Sequence, residues 1–137
     1  MTRLIHIVLL VTTSLVSFSS LAARMTCPDP QNSSLKNGIP PTPWSVNPFS
    51  SNAPNVDINT QFAKANILAT GSKGLGVVCF YKNQAGLYSI WWQALVKIPA
   101  PQDYNWINTN GGFICTESFQ SCQFSVAQLE SNKKGSY

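Results

Sequence analysis

The stretch from Gly76 to Gln93, "GVVCFYKNQAGLYSIWWQ", concentrates more apolar and aromatic residues than any other part of the chain beyond its N-terminal leader. β-branched and aromatic residues favour strands, and a short polar loop between two such runs is typical of a hairpin. A four-residue loop at "NQAG" would pair Lys82 with Leu87. This stretch therefore predicts two adjacent antiparallel strands at the centre of a β-sheet.

The predicted register gives the hairpin two different faces, because strand side chains alternate between the two sides of a sheet. The first face carries the opposing pairs Tyr81–Tyr88, Cys79–Ile90 and Val77–Trp92. The second face carries Val78, Phe80 and Lys82 opposite Trp91, Ser89 and Leu87. A disulfide-bonded Cys79 would place the first face inward. A shift of one residue would exchange the faces.

The second face is too apolar for an ordinary surface, and two interpretations compete. In the first, a proline-rich coil or another sheet layer buries it, as continuous apolar strands usually require. In the second, part of it is an exposed surface for a partner subunit or another protein. The residues predicted to contribute to such an interaction surface are Phe80, Leu87 and Trp91.

Residues 1–23 have the pattern of a secretory signal peptide. Arg3 precedes the apolar run "LIHIVLLVTTSLV", and "SLAA" supplies small residues for cleavage after Ala22 or Ala23. An uncleaved membrane anchor is the alternative, because the run approaches the length of a bilayer span. Cleavage is favoured, which predicts an exported protein that is not embedded in the membrane.

Three further regions follow the signal. Residues 24–59 hold seven of the nine prolines and predict an extended Pro/Asn/Ser-rich segment, anchored on the domain by Ile39, Trp44, Val46 and Phe49. Residues 60–129 predict a β domain in which "QFAKANILAT" is a strand or a short helix, "YSIWWQALVKI" is a strand that continues past Trp92, "PAPQDYNWINTNGG" is a loop, and "FICTE" and "CQFSVAQ" are short strands. Residues 130–137 predict a flexible tail. The predicted fold is mainly β, a small antiparallel sheet or sandwich with at most one short helix.

The four cysteines predict two disulfides, because an exported chain with an even cysteine count usually pairs them. Three connectivities are open. The favoured one joins Cys115 to Cys122 around a short loop and ties Cys27 to Cys79 in the hairpin. No metal site is predicted, since there is no C-x-x-C pair and the single histidine, His6, lies in the signal.

The residues for acid–base catalysis are scarce. Without a histidine after the signal, serine and cysteine triads are excluded within one chain. The five carboxylates are isolated along the sequence: Asp29, Asp57, Asp103, Glu117 and Glu130. Only folding could bring two of them together. Basic residues are scattered, so no nucleic-acid-binding stripe is predicted. The sequence therefore predicts a non-enzymatic protein without a cofactor.

Aromatic residues allow a second function, the binding of cell-wall glycans by stacking on sugar rings. The candidates are Trp44, Trp91, Trp92, Tyr104 and Trp106, with the amides of Gln93, Asn105 and Asn108 as hydrogen-bonding groups. The competing interpretation is that these aromatics fill the core, and it is favoured for any given tryptophan.

The order of several blocks resembles a known family. The chain begins after its signal with "CPDPQ" and continues through "PPTPWSVNPFS", "ANILATG", "VVCFYKN", "YSIWWQ", "DYNWI", "GGFICT" and "CQF". These blocks, spread over roughly residues 27–126, resemble the periplasmic EirA proteins of intracellular gammaproteobacteria such as Coxiella and Legionella. The resemblance implies an accessory protein of the Dot/Icm type IV secretion system. Such a protein would support effector translocation and intracellular replication through protein contacts, including self-association, with no catalytic residues carried over.

Overall fold

A computed structural model describes residues 24–127 of the protein. The predicted signal peptide, residues 1–23, and the predicted tail, residues 130–137, lie outside the described residues. The described strands are β1 Arg24–Met25, β2 Ser45–Val46, β3 Gln61–Thr70, β4 Lys73–Asn83, β5 Gly86–Trp92, β6 Ile107–Thr109, β7 Gly112–Cys115 and β8 Phe124–Ser125. One 3₁₀ turn, Ser34–Asn37, lies between β1 and β2.

The strands form one large and one small antiparallel sheet. The large sheet has six strands in the order β2-β5-β4-β3-β7-β6, and β1 pairs with β8 in the small sheet. The predicted mainly β fold with a proline-rich N-terminal coil is confirmed. "QFAKANILAT" is a strand over its whole length, because it pairs with β4 on one side and β7 on the other.

The register of the central hairpin is the one that the sequence predicts. Lys82 lies opposite Leu87, and the pairing continues to Val77 opposite Trp92. The turn is tighter than the predicted four-residue loop, because Asn83 and Gly86 also pair. The two faces of the hairpin therefore carry the predicted sets of side chains.

Two strand predictions are wrong in their extent. The run after Trp92 does not continue β5: the Ala94 amide donates to the Trp92 carbonyl, which turns the chain, and only Val96 makes isolated bridges, to Gly74 and Val126. Conversely, the predicted loop before β7 contains strand β6. The "NTNGG" sequence forms a hairpin turn there, which brings Ile107 opposite Ile114.

The core lies between one face of the large sheet, here called the inner face, and residues that pack across it. Cys79, Tyr81, Tyr88 and Ile90 supply the sheet side of this core, and none is more than 1% exposed. The covering side consists of Cys27, Leu35, Trp44, Val96, Trp106, Cys122 and Phe124. The first face of the hairpin is therefore the inward one.

Both favoured disulfides are present, Cys27–Cys79 and Cys115–Cys122. The first fastens residues 24–59, here called the N-terminal segment, to the middle of β4. The second closes a loop within the last third of the chain. All four cysteines are buried.

Only one of the four predicted anchors of the N-terminal segment is buried. Trp44 is 7% exposed and packs edge-on against Trp92 and Phe124, with ring centroids 5.8 and 6.2 Å away. Ile39, Val46 and Phe49 are exposed. The anchoring that the prediction assigned to them comes instead from Leu35 and the Cys27–Cys79 disulfide, which lie in the core.

The N-terminal segment also covers the outer edge of β5. Strand β2 pairs with Ile90 and Trp91. Beyond β2, the Ser89 amide donates to Ser50 Oγ at 2.8 Å, and Asn52 Nδ2 donates to the Leu87 carbonyl at 2.9 Å. Side-chain caps of this kind satisfy backbone groups that an edge strand would otherwise expose.

Two stacked tyrosines on the inner face give a matched stability test. Tyr81 Oη donates to the Pro28 carbonyl at 2.6 Å, whereas Tyr88 Oη is buried with no hydrogen-bond partner among the described residues. Burial raises the pKa of Tyr88 to about 12, and burial, helped by Tyr88 and Asp29, raises the pKa of Tyr81 further. Both hydroxyls therefore stay neutral at physiological pH.

We expect Tyr81→Phe to lower the free energy of unfolding by about 1–2 kcal/mol, because it leaves the Pro28 carbonyl without its donor. Tyr88→Phe should change that free energy by less than about 0.5 kcal/mol or raise it, since it removes an unpaired buried hydroxyl. Urea denaturation of the disulfide-bonded variants measures both. Equal decreases in the free energy of unfolding of the two variants would contradict the different roles assigned to the two hydroxyls.

Candidate interaction surface

The face of the large sheet opposite the core, here called the outer face, is the candidate functional surface. Its strand positions are Ser45, Gln61, Lys64, Asn66, Leu68, Thr70, Lys73, Gly76, Val78, Phe80, Lys82, Leu87, Ser89, Trp91, Ile107, Thr109, Gly112 and Ile114. Leu68, Leu87 and Ile107 are 40%, 45% and 61% exposed. The part of the chain that the structure describes therefore leaves apolar surface open on this face.

Phe80 and Leu87, two of the three residues predicted for an interaction surface, lie at one end of the outer face. Phe80 is partly buried, and Lys64 Nζ lies 4.7 Å from the centre of its ring, a cation–π geometry. Phe80 and Leu87 line a cleft of about 220 Å³ whose other wall is formed by the N-terminal segment between Asn47 and Ser51.

Trp91, the third predicted residue, lies beside a different cleft. It is partly buried opposite Val78, and Phe49 packs edge-on against it at 6.4 Å between ring centroids. Its cleft of about 210 Å³ is here called the apolar slot; it is lined by Leu68, Leu75, Gly76, Val77, Trp91, Trp92 and Gln93. The three predicted residues thus share one face but not one pocket.

The N-terminal segment covers the outer face only at its β5 end. Asn47 is buried there and its Nδ2 donates to Ser89 Oγ at 2.9 Å. Elsewhere the segment packs on the inner face through Leu35 and Trp44. The interpretation that the proline-rich coil buries the second face of the hairpin therefore holds for Ser89 and fails for Leu87.

Several residues of the outer face were missed by sequence reasoning. Ile107 and Ile114 lie opposite each other on β6 and β7, and Asn66 lies next to Ile114 on β3. A signal was present, since Lys64, Asn66 and Leu68 alternate with the buried Ala65 and Ile67. The partners on β6 had no such signal, because that strand was predicted as a loop.

Most of the aromatics predicted for glycan stacking are in or against the core. Trp44 and Trp106 are buried, and Trp106 Nε1 donates to the Gln123 carbonyl at 2.8 Å. Trp92 packs against the same core. Of the five candidates, Tyr104 is exposed, and Trp91 and Trp92 are partly exposed.

The described carboxylates mainly stabilise loops. Asp57 accepts from the amides of Asn59 and Gln84, and Asp103 accepts from the amide of Ala100. Asp29 accepts from Gln31 and Asn32. Within residues 24–127 there is no group of three or more metal-ligating side chains. Glu130 lies outside the described residues.

A polar cleft of about 270 Å³ lies where the small sheet meets the loop before β6. It is lined by Arg24, Asp103, Asn105, Trp106, Gln120, Ser121 and Gln123. Its polar groups bond to one another: Arg24 Nη1 donates to Gln123 Oε1 at 3.3 Å, and Asn105 Nδ2 donates to the Ser121 carbonyl at 3.1 Å. These contacts join two parts of the chain, so the outer face is the stronger candidate.

Comparisons with known proteins place the chain in a family without assigning an activity. Residues 24–127 contain no helix that is long and apolar enough to cross a membrane. Neither a curated protein nor a solved structure matches the chain significantly. One family model, described as "Protein of unknown function (DUF3757)", matches residues 20–125, which include all the strands described above. The chain therefore belongs to the DUF3757 family of proteins of unknown function.

Proposed function

We propose that this protein is a non-enzymatic periplasmic binding protein that works through protein–protein contacts made by its outer face. The observation that supports this most directly is that one face of the large sheet is covered and the other is partly exposed. The inner face is covered by the N-terminal segment and closed by the Cys27–Cys79 disulfide, whereas Leu68, Leu87 and Ile107 stay exposed on the other side. Exposed apolar patches of this kind usually mark interaction sites.

The periplasm is the compartment that best fits the covalent structure. Two disulfides without a free cysteine in the described chain are typical of an oxidising environment. The signal-like residues 1–23 support export to the same place. The disulfides stabilise the fold in this proposal and take no part in chemistry.

The resemblance to EirA proteins extends the proposal to a cellular role. In this role the protein is an accessory factor of the Dot/Icm type IV secretion system, supporting effector translocation and replication inside host cells. Phe80, Leu87 and Trp91 belong to the surface that contacts secretion-system components or a second copy of the chain.

Glycan binding is the alternative function, and one observation supports it. Tyr104 is 86% exposed in a loop that also presents Asn105. The position of the other aromatics counts against glycan binding, because three of the five candidates pack in or against the core. Sedimentation of the protein with purified peptidoglycan, wild type beside Tyr104→Ala, separates this function from protein binding.

In-cell photo-crosslinking tests the protein-binding surface. A photo-crosslinking amino acid replacing Leu87 should capture a periplasmic partner in the native bacterium, and combination with Trp91→Ala should reduce capture by about tenfold or more, as expected for a central aromatic at an interface. The same crosslinker replacing Ile58, which is 84% exposed in the loop before β3, is the matched control and should capture little.

Two results would contradict the proposal. Equal capture from positions 87 and 58 would remove the outer face as the interaction surface. Normal effector translocation in a deletion strain would remove the secretion role, whatever the crosslinking result.

A further inference from the structure

The outer face carries positive charge and no negative charge at its strand positions. Lys64, Lys73 and Lys82 are its charged residues, and no carboxylate occurs on the outward positions of β2 to β7. Lys73 begins β4 at one end of the face, whereas Lys64 and Lys82 lie towards the turn that joins β4 to β5 at the other end. A partner that covers this face must therefore supply negative charge at that end to avoid leaving two ammonium groups unpaired.

The opposite end of the face holds the apolar slot. Gly76 contributes no side chain to it, and a Cβ at this position would lie 2.8 Å from the Trp92 carbonyl oxygen, so the backbone of β5 approaches too closely for any other residue. Leu68 and Leu75 flank the slot and are both exposed. Its volume of about 210 Å³ suits one large apolar side chain.

The apolar slot and the lysines near the β4–β5 turn lie along strand β4, at a fixed distance from each other. Gly76 and Phe80 are separated by four residues of β4, and Lys64 Nζ lies over the Phe80 ring. At about 3.4 Å per residue, the slot and this ammonium group are roughly 14 Å apart along the strand. Lys82 lies two residues further in the same direction.

The lining of the apolar slot and the small number of lysines favour an acidic polypeptide over a glycan or an anionic membrane. Apart from the indole N–H groups of Trp91 and Trp92, Gln93 supplies the only polar side-chain groups among the residues that line it, so a sugar ring entering the slot would lose hydrogen bonds from most of its hydroxyls. An anionic membrane surface is usually bound by clusters of four to eight basic residues, more than the three separated lysines of this face.

We propose that the outer face binds an extended, acidic polypeptide segment whose large apolar side chain enters the apolar slot and whose carboxylate, four or six residues away, pairs with Lys64 or Lys82. The even spacing follows from the alternation of an extended chain, which points residues i, i+4 and i+6 to the same side. This inference rests on the proposed function of the outer face and adds to it the chemistry and spacing of the partner.

Selection from a phage library of random 12-residue peptides on the disulfide-bonded protein tests the spacing. We expect enriched peptides with a Leu, Ile, Met or aromatic residue and an Asp or Glu four or six residues before or after it. Binding of a selected peptide should fall about threefold to fivefold when its acid becomes the amide, as for a partly exposed ion pair. Lys64→Gln should remove the preference for an acid at a spacing of four, Lys82→Gln should remove the preference at a spacing of six, and 0.5 M salt should weaken both.

Trp91→Ala separates failure of this inference from failure of the proposed function. Peptides that lose binding in Trp91→Ala but show no acid at even spacing would overturn the inference and leave the interaction surface standing. Peptides whose binding is unchanged in Trp91→Ala would remove the surface itself. Absence of any enriched peptide, or displacement of bound peptide by peptidoglycan fragments or anionic vesicles at lower concentration than by free peptide, would also overturn the polypeptide assignment.

Discussion

Replacement of both Cys27 and Cys79 by alanine should lower the free energy of unfolding by about 4 kcal/mol. This disulfide joins residues 52 apart in the chain, so its removal restores the freedom of a long loop in the unfolded state. The bond also holds the N-terminal segment against β4, where both half-cystines are at most 1% exposed. A domain at the lower end of ordinary stability, about 5 kcal/mol in total, would come close to unfolding.

The second disulfide provides the control for this prediction. Cys115 and Cys122 are 7 residues apart, for which the same loop-entropy relation gives about 2.5 kcal/mol. Chemical denaturation of the two double-alanine variants, monitored by tryptophan fluorescence, gives both free energies. A larger loss from the Cys115–Cys122 pair would show that the N-terminal segment is held by its other contacts and that loop length does not set the order.

Trp44→Ala should cost about 3–5 kcal/mol, the usual range for removing a large buried aromatic. Its ring fills the space between Trp92 on β5 and Phe124 on β8, so truncation would leave a cavity between the N-terminal segment, the large sheet and the small sheet. Thermal unfolding followed by near-ultraviolet circular dichroism measures the loss and also reports on the tryptophan cluster.

Phe49→Ala is the matched control, since Phe49 lies five residues further along the same segment but is 86% exposed. We expect a change below about 0.5 kcal/mol, as for ordinary surface substitutions. Comparable losses from the two variants would mean that the segment is anchored over its whole length, contrary to the burial of Trp44 alone among the four predicted anchors.

The sequence predicted the features that depend on residues close together in the chain, namely the central hairpin and its two faces. The position of the "NQAG" turn predicted the register of the β4–β5 hairpin, in which a slip of one residue would have moved Cys79 and Ile90 out of the core. The predicted disulfide at Cys79 correctly indicated the inward face. Strand β6 and the end of β5 were not predictable in this way, because a three-residue strand has little pattern and the chain leaves β5 at a turn set by a local hydrogen bond.

The candidate surface was only partly predictable, because it combines residues from strands that are far apart in the sequence. Phe80, Leu87 and Trp91 were identified because they are surplus apolar residues within one hairpin. Their neighbours Lys64, Leu68 and Ile107 come from β3 and β6, and sequence separation hides such proximity until the strand order is known. The apolar slot depends on Gly76, whose close approach to the Trp92 carbonyl exists only in the folded sheet.

By itself, the sequence determined the β class, the hairpin register and the two faces of its central strands, because these follow from strand propensity, the position of the turn and side-chain alternation. Tertiary structure alone decided which face the N-terminal segment covers. Burying Leu35 and Trp44 against Tyr81, Tyr88 and Ile90 removes more apolar surface from water than covering Ser89 and Leu87 would, so the segment packs on the inner face. That choice leaves the lysines and leucines of the outer face open for a partner.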